Sequence, residues 1–326
     1  MSSSSMTETM ERHQIAIYLS GLAAGAVVGW AWPTGGPVWE AAIYPVLGAL
    51  LYATFLQVPF TKLTVAFRDG RFLSAVLLVN FLIVPLVVVA LTSVISLQQA
   101  VLLGVLLTLL TPCIDYVIVF SGLAGGDSQR LLAAAPLLML AQMAALPLFL
   151  WLFVGPELAD IVEIGPFVEA FLILIVLPLG LAWATEALSS RHRSGAAISS
   201  AMTTAMVPLM TTTLFVVVAS QFPKITDQTE QVFRVVPIYA AYLVVMAGIG
   251  LAAAKLLQLD APRSRALIFS GATRNSLVVL PLALALPEDY AITPVIVVTQ
   301  TLVELVGMII YVRLIPRVTP APAAYA

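Results

Sequence analysis

An all-α integral membrane protein is what the sequence predicts, and three observations carry that expectation. Hydrophobic residues make up 61% of the 326-residue chain and charged residues only 10%, against about 25% charged in a soluble domain. A mean hydropathy of +1.04 leaves too little polar surface to cover a water-soluble core. Apolar stretches repeatedly reach the roughly 20 residues a helix needs to cross hydrocarbon, without the alternation of a membrane β-barrel.

Runs poor in charge mark ten expected spans, near 15–32, 41–60, 72–95, 98–124, 129–154, 167–187, 199–221, 235–257, 263–286 and 292–314. The links are short. Even the longest breaks, "VGPELADIVEIGPF" and "SSRHRSGAAISS", are loop-sized, so one membrane domain is expected with no soluble module. Tails 1–13 and 316–326 are polar or Pro/Ala-rich and expected to be disordered. The first span follows an acidic leader without a small-residue cleavage site, which reads as a retained helix rather than a signal peptide.

Positive charge sets the orientation. With the N-terminus cytoplasmic, the inner face collects Arg12, Lys62, Arg68, Arg71, Arg130, Arg191, Arg193, Lys255, Arg263, Arg265, Arg313 and Arg317, while the outer face receives only Lys224 and Arg234. Both termini should therefore face the cytoplasm of a bacterial-type plasma membrane. The net charge of -2 names no partner, and no basic cluster points to nucleic acid. The single cysteine excludes an internal disulfide.

The chain also reads as one design used twice. A shift of 162 residues places "TPCIDYVIVF" on "TRNSLVVLPL", so that Thr111 meets Thr273, Cys113 meets Asn275, and Gln142 meets Glu304. Five spans per half, 14–154 and 155–315, force the second copy to enter the membrane from the opposite side. Such inverted repeats are common in secondary transporters, whose sites lie where the matching helices of the two halves are broken.

The fourth span carries a helix breaker at "TPC". Pro112 removes a backbone N–H and clashes with the preceding turn, which leaves unpaired carbonyls and N–H groups. Neighbouring helices repair such a kink, or the exposed backbone lines a site. The matching position in span nine reads "TRN". If both breaks cross, four half-helix ends converge and their dipoles can hold an ion or polar solute.

Three ionisable residues, Asp115, Arg274 and Glu304, lie deep in spans, where charge is costly and marks function by default. Asp115 and Arg274, one beside each break, are expected to pair, either within a site or only to pin two helices. Glu304 is expected to carry a proton; the plainer reading is a neutral carboxyl bonded to a neighbour such as Gln142. Cys113 is either a small core hydrophobe or, one residue past the break, a soft donor for a thiophilic solute.

The run "TPCIDYVIVFSGLAGGD" resembles the fourth-span signature of the arsenical-resistance efflux branch of the bile acid:sodium symporter superfamily, and "TLVELVGMIIYVRL" is similar to that branch's tenth span. The resemblance implies a core of spans three to five and eight to ten, with crossed broken helices four and nine, and a panel of spans one, two, six and seven. It further implies export of arsenite or antimonite, Cys113 contacting the metalloid as a transient metal ligand and Glu304 coupling the cycle to protons. Thr111 and Asn275 would offer polar contacts at the breaks, with Gln142 and Ser276 as secondary candidates. Arg274, in a break that lacks a carboxylate, keeps open the superfamily's other branch, sodium-coupled uptake of organic anions. There the arginine would grip a carboxylate, while Asp115, Asn275, Ser276 and free carbonyls would ligate sodium.

Other classes fare less well. None of the three lysines follows a glycine, so no P-loop is present for a primary pump, and no cofactor is expected. The spans hold one deep aspartate, too few for an aspartyl protease pair. A channel would share much of this pattern. The stripe Gly21, Gly25, Gly29 suits a homodimer face or close packing within the panel.

Overall fold

In a computed structural model of the chain, residues 10, 13–57, 69–114, 116–155, 164–189 and 192–320 are described. Among them every regular element is helical: α1 (Gln14–Ala31), α2 (Gly36–Gln57), α3 (Gly70–Ser93), α4 (Gln99–Leu109), α5 (Tyr116–Leu123), α6 (Ser128–Val154), α7 (Ile164–Phe171), α8 (Leu177–Ser189), α9 (Arg193–Asp227), α10 (Thr229–Leu256), α11 (Ala261–Ala272), α12 (Ser276–Leu284) and α13 (Thr293–Val318). Asp115, Arg12, Lys62, Arg68 and Arg191 lie outside the described residues, as does most of each tail.

Seven helices among the described residues are long and apolar enough to cross a bilayer: Gln14–Ala31, Pro33–Gln57, Gly70–Ser93, Ser128–Val154, Arg193–Ile225, Thr229–Leu256 and Glu288–Val318. The other three stretches expected as spans are interrupted. That near 98–124 comes as α4 and α5, that near 263–286 as α11 and α12, and that near 167–187 passes through a π-helical turn at Leu172–Val176. Trp30, Trp151, Trp183, Phe233, Val244 and Leu256 are all exposed, a surface suited to lipid and unsuited to water.

The helices gather into two compact units. The first comprises Met1–Gln57, Glu163–Thr229 and Leu284–Leu286, and so holds α1, α2, α7, α8 and α9. Here the glycine stripe of α1 lies against α9. A Cβ at Gly21 would sit 2.7 Å from the Thr211 methyl, at Gly25 2.5 Å from the Phe215 carbonyl oxygen, and at Gly29 2.8 Å from the Ala219 carbonyl oxygen. The stripe is thus occupied within the unit, which removes it as the homodimer face. Lys224 meets Glu40 at 2.6 Å, tying α9 to α2, and the Tyr52 hydroxyl shares a 2.8 Å hydrogen bond with Thr185. Gly25→Leu is expected to lower stability by about 1–3 kcal/mol or more, because backbone rather than a flexible side chain must yield. A melting curve in detergent reads this, with an unchanged elution volume.

The second unit comprises Val58–Val162, Glu230–Ala283 and Pro287–Ala326. Three of its helices start from an aspartate that accepts a backbone N–H: Asp69 from Phe72 at 3.2 Å, Asp127 from Arg130 at 3.1 Å and Asp260 from Arg263 at 3.0 Å. These starts share one ion-pair network. Arg130 bonds to Asp69 and, at 2.6 Å, to Asp127, while Arg263 reaches Asp69 at 3.2 Å. Arg130 and Arg263, expected on one membrane face from the charge bias, share Asp69. Arg265 completes this end by donating to the Ala124 carbonyl at 3.1 Å and the Thr319 carbonyl at 2.8 Å.

Candidate functional site

The two helix breaks lie against each other inside the second unit. Pro112 and Arg274 form an isolated antiparallel bridge, flanked by Cys113 N–H on the Thr273 carbonyl at 3.4 Å and Asn275 N–H on the Thr111 carbonyl at 2.9 Å. In such a pair the two central residues direct their own N–H and C=O away from the partner strand. A proline at the centre therefore loses no bond to its partner. Arg274 spends both of its outward groups: its N–H donates to Glu304 Oε2 at 2.8 Å, and its carbonyl accepts from the Tyr116 hydroxyl at 3.1 Å.

The pattern repeats locally across the two breaks. Pro112 and Arg274 are 162 positions apart, and exchanging each residue with its counterpart at that distance interchanges the two flanking bonds. Each first half-helix also ends on a threonine that bonds back one turn, Thr111 to the Leu107 carbonyl at 2.8 Å and Thr273 to the Phe269 carbonyl at 2.7 Å.

Arg274 is fully buried. Its guanidinium donates to the Ser270 carbonyl at 2.7 Å and the Gly271 carbonyl at 3.0 Å in the last turn of α11, to the Leu109 carbonyl at 3.4 Å at the end of α4, and to Asn80 Oδ1 at 2.6 Å. It also stands over the Tyr242 ring, 5.8 Å from the centroid. One cation thus serves the negative ends of two helix dipoles, which offsets much of the cost of burying it. Among the described residues no carboxylate pairs with the guanidinium, and the expected partner, Asp115, falls outside them.

Glu304, 1% exposed, is the only buried carboxylate among the described residues. It accepts from the Tyr116 hydroxyl, the Arg274 N–H and Gln300 Nε2. Those three donors are the partners found for the carboxyl, while Gln142 Oε1 is buried without a hydrogen-bond partner. Gln300 sits one turn before Glu304 on α13, and Tyr116 opens α5 beside the break.

Thr111, Cys113 and Asn275 are fully buried and Ser276 nearly so. Asn275 caps α12 by accepting from Val278 N–H at 3.2 Å and leaves Nδ2 without a partner. Ser276 shares a 2.6 Å hydrogen bond with Thr301. Among the described residues no cluster of three or more His, Cys, Asp or Glu could cage a metal, so the chain's one thiol is a single soft donor; Gln300 Oε1, like Asn275 Nδ2, is buried without a hydrogen-bond partner.

Sequence reasoning missed Asn80, Tyr116 and Gln300. Asn80 was visible as a lone amide in "SAVLLVNFLIVPL", and a π-helical turn at Val79–Ile83 carries it. It lies within reach of both Arg274 and Ser270 Oγ, the latter at 3.0 Å.

Apolar spanning helices, interrupted ones joined at their breaks, and buried polar groups at that joint describe a multi-pass membrane protein with a polar centre, and the family it matches is one of transporters, not enzymes. A family model described as the sodium bile acid symporter family matches residues 44–228, more than half of the chain, and the protein belongs to that family. No curated protein matches it.

Proposed function

We propose that this family member is a secondary transporter that expels trivalent arsenic or antimony in exchange for protons. The observation that carries the reading is that the chain's one cysteine and its buried carboxylate are both anchored to the same broken segment, residues 273 and 274. The Cys113 backbone N–H bonds to the Thr273 carbonyl, and the Glu304 carboxylate accepts from the next residue's N–H, that of Arg274.

A trivalent metalloid is thiophilic, and a single thiol binds it loosely enough for release. Thr111 and Asn275 stand on either side of the bridge as polar contacts, with Ser276 and Gln142 as secondary ones. The Tyr116 hydroxyl reaches two acceptors, the Glu304 carboxyl and the Arg274 carbonyl, but has one hydrogen to give. With Glu304 ionised, that hydrogen goes to the carboxylate. A proton on Glu304 lets the acid donate to the tyrosine oxygen, and the tyrosine hydrogen turns to the Arg274 carbonyl. Proton uptake thereby re-pairs the break that holds Cys113, three residues before Tyr116. Tyr116→Phe is expected to slow pH-driven transport roughly tenfold, the worth of one hydrogen bond to a charged group, as read by initial rates in everted vesicles.

In this reading ten spans form two inverted repeats, 14–154 and 155–315, with spans three to five and eight to ten as the core and the rest as the panel. The local exchange symmetry of the bridge supports the repeat, and the membership of the two compact units supports the core and panel. The Asp69, Arg130 and Arg263 network supports a common, cytoplasmic side for three links, within the plasma membrane and with both termini inside.

The family description favours a second reading, sodium-coupled uptake of an organic anion. An arginine committed to four oxygens of its own chain is poorly placed to grip a substrate carboxylate. Expression in a metalloid-sensitive bacterium lacking its own efflux decides between them: protection from arsenite or antimonite supports export. No protection, together with sodium-driven anion uptake, replaces that reading with the second.

A further inference from the structure

Helix C-termini exposed at a break in a membrane offer carbonyl oxygens, and in broken-helix transporters such ends are where a coupling sodium ion binds. The oxygens that surround the guanidinium and flank the bridge are already engaged. The Leu109, Ser270 and Gly271 carbonyls and the Asn80 amide oxygen all accept from the Arg274 guanidinium. The Thr111 and Thr273 hydroxyls bond back into their own helices. Asn275 Oδ1 is the cap of α12, and the Ser276 hydroxyl is held by Thr301. Glu304 accepts from three donors. Among the described residues, the oxygens at the two helix ends are committed to the guanidinium, and the unpartnered Gln300 Oε1 beside Glu304 is a single acceptor, so the place these helix ends would offer a sodium ion is taken by the arginine.

We infer that Arg274 is a tethered cation standing where two helix C-termini would otherwise gather a coupling sodium, so that this member of the family works without sodium. A guanidinium supplies the same unit charge as the ion, is a permanent cation in proteins, and presents several donors in a rigid fork. Because it is covalently attached, it neither arrives nor leaves during the cycle. The driving force must then come from another ion. The π-helical turn of α3 contributes by holding Asn80, whose Oδ1 meets the guanidinium while its Nδ2 donates to the Val76 carbonyl at 2.9 Å. The inference rests on family membership and on this geometry, and it stands whatever the solute proves to be.

The test is sodium binding by the purified full-length protein in detergent, without any solute. Melting temperatures are measured in matched sodium, potassium and choline chloride, and radioactive sodium binding is measured on the same samples. Wild type is expected to melt identically in all three and to bind no sodium. Arg274→Ala vacates the oxygens and is expected to show a sodium-specific rise of about 2 °C or more, growing with the logarithm of concentration, together with saturable sodium binding. Arg274→Lys, which keeps a tethered cation, is expected to resemble wild type. If Arg274→Ala does not stay folded in potassium, purification in sodium should restore a monodisperse sample. Sodium-selective binding by wild type overturns the inference, as does an Arg274→Ala protein that ignores sodium or is lost equally in both salts.

Discussion

Cys113→Ser is expected to abolish metalloid transport, reducing protection of a sensitive host to that of an empty vector and uptake into everted vesicles to background. Serine preserves the shape of the side chain and the backbone N–H that Cys113 gives to Thr273, so the bridge between the two breaks survives. What changes is the donor atom: a hard hydroxyl has little affinity for arsenic or antimony in the trivalent state. Because the position is fully buried, an unsatisfied hydroxyl there costs about 1–3 kcal/mol. Cys113→Ala separates that effect from chemistry, since it adds no polar group. Cys113→Ala should melt near wild type and Cys113→Ser up to several degrees lower, and both should lose transport. Antimonite should raise the melting temperature of wild type and leave both variants unmoved. Normal transport by Cys113→Ser removes the thiol from the mechanism.

The class and the breaks were legible because the membrane makes rules simple. Charge is expensive in hydrocarbon, so scarcity of charge marks helices, and a proline flanked by polar residues marks where a helix parts. Register was legible too. The 162-residue shift that aligned "TPC" with "TRN" also relates Pro112 to Arg274 across the bridge. Partners were harder to read. Arg274 and Glu304 were visible as buried ionisable groups, but the arginine's actual acceptors are mostly backbone carbonyls, which every residue possesses and no sequence distinguishes. Asn80 lies 194 positions from Arg274, and a π-helical turn, which periodicity does not reveal, sets its direction. Gln300 was recoverable, since i and i+4 on a helix share a face with Glu304. The glycine stripe of α1 admitted two uses, and spacing alone does not say whether the surface it fits belongs to α9 or to another copy of the chain.

Glu304→Gln should abolish uphill transport while sparing exchange. For a neutral solute exchanged against one proton, a pH difference of one unit supports about tenfold accumulation. Wild type in proteoliposomes should approach that ratio, and the variant should settle at a ratio of about one. The geometry explains why exchange survives. A glutamine at this position can keep its oxygen toward the Arg274 N–H and Gln300 Nε2 and direct its amide N–H to the Tyr116 oxygen. The Tyr116 hydrogen is then left for the Arg274 carbonyl. That is the hydrogen-bond pattern of the protonated acid, so the variant is fixed in one of the two states that the proton switches between. Solute on one side should still trade for labelled solute on the other, while the pH gradient finds no group to charge and discharge. A Glu304→Gln protein that accumulates solute against a gradient at the wild-type ratio would show that the proton travels by another residue. Loss of exchange and accumulation together, in a protein that still melts like wild type, would instead place the carboxyl among the groups that hold the solute.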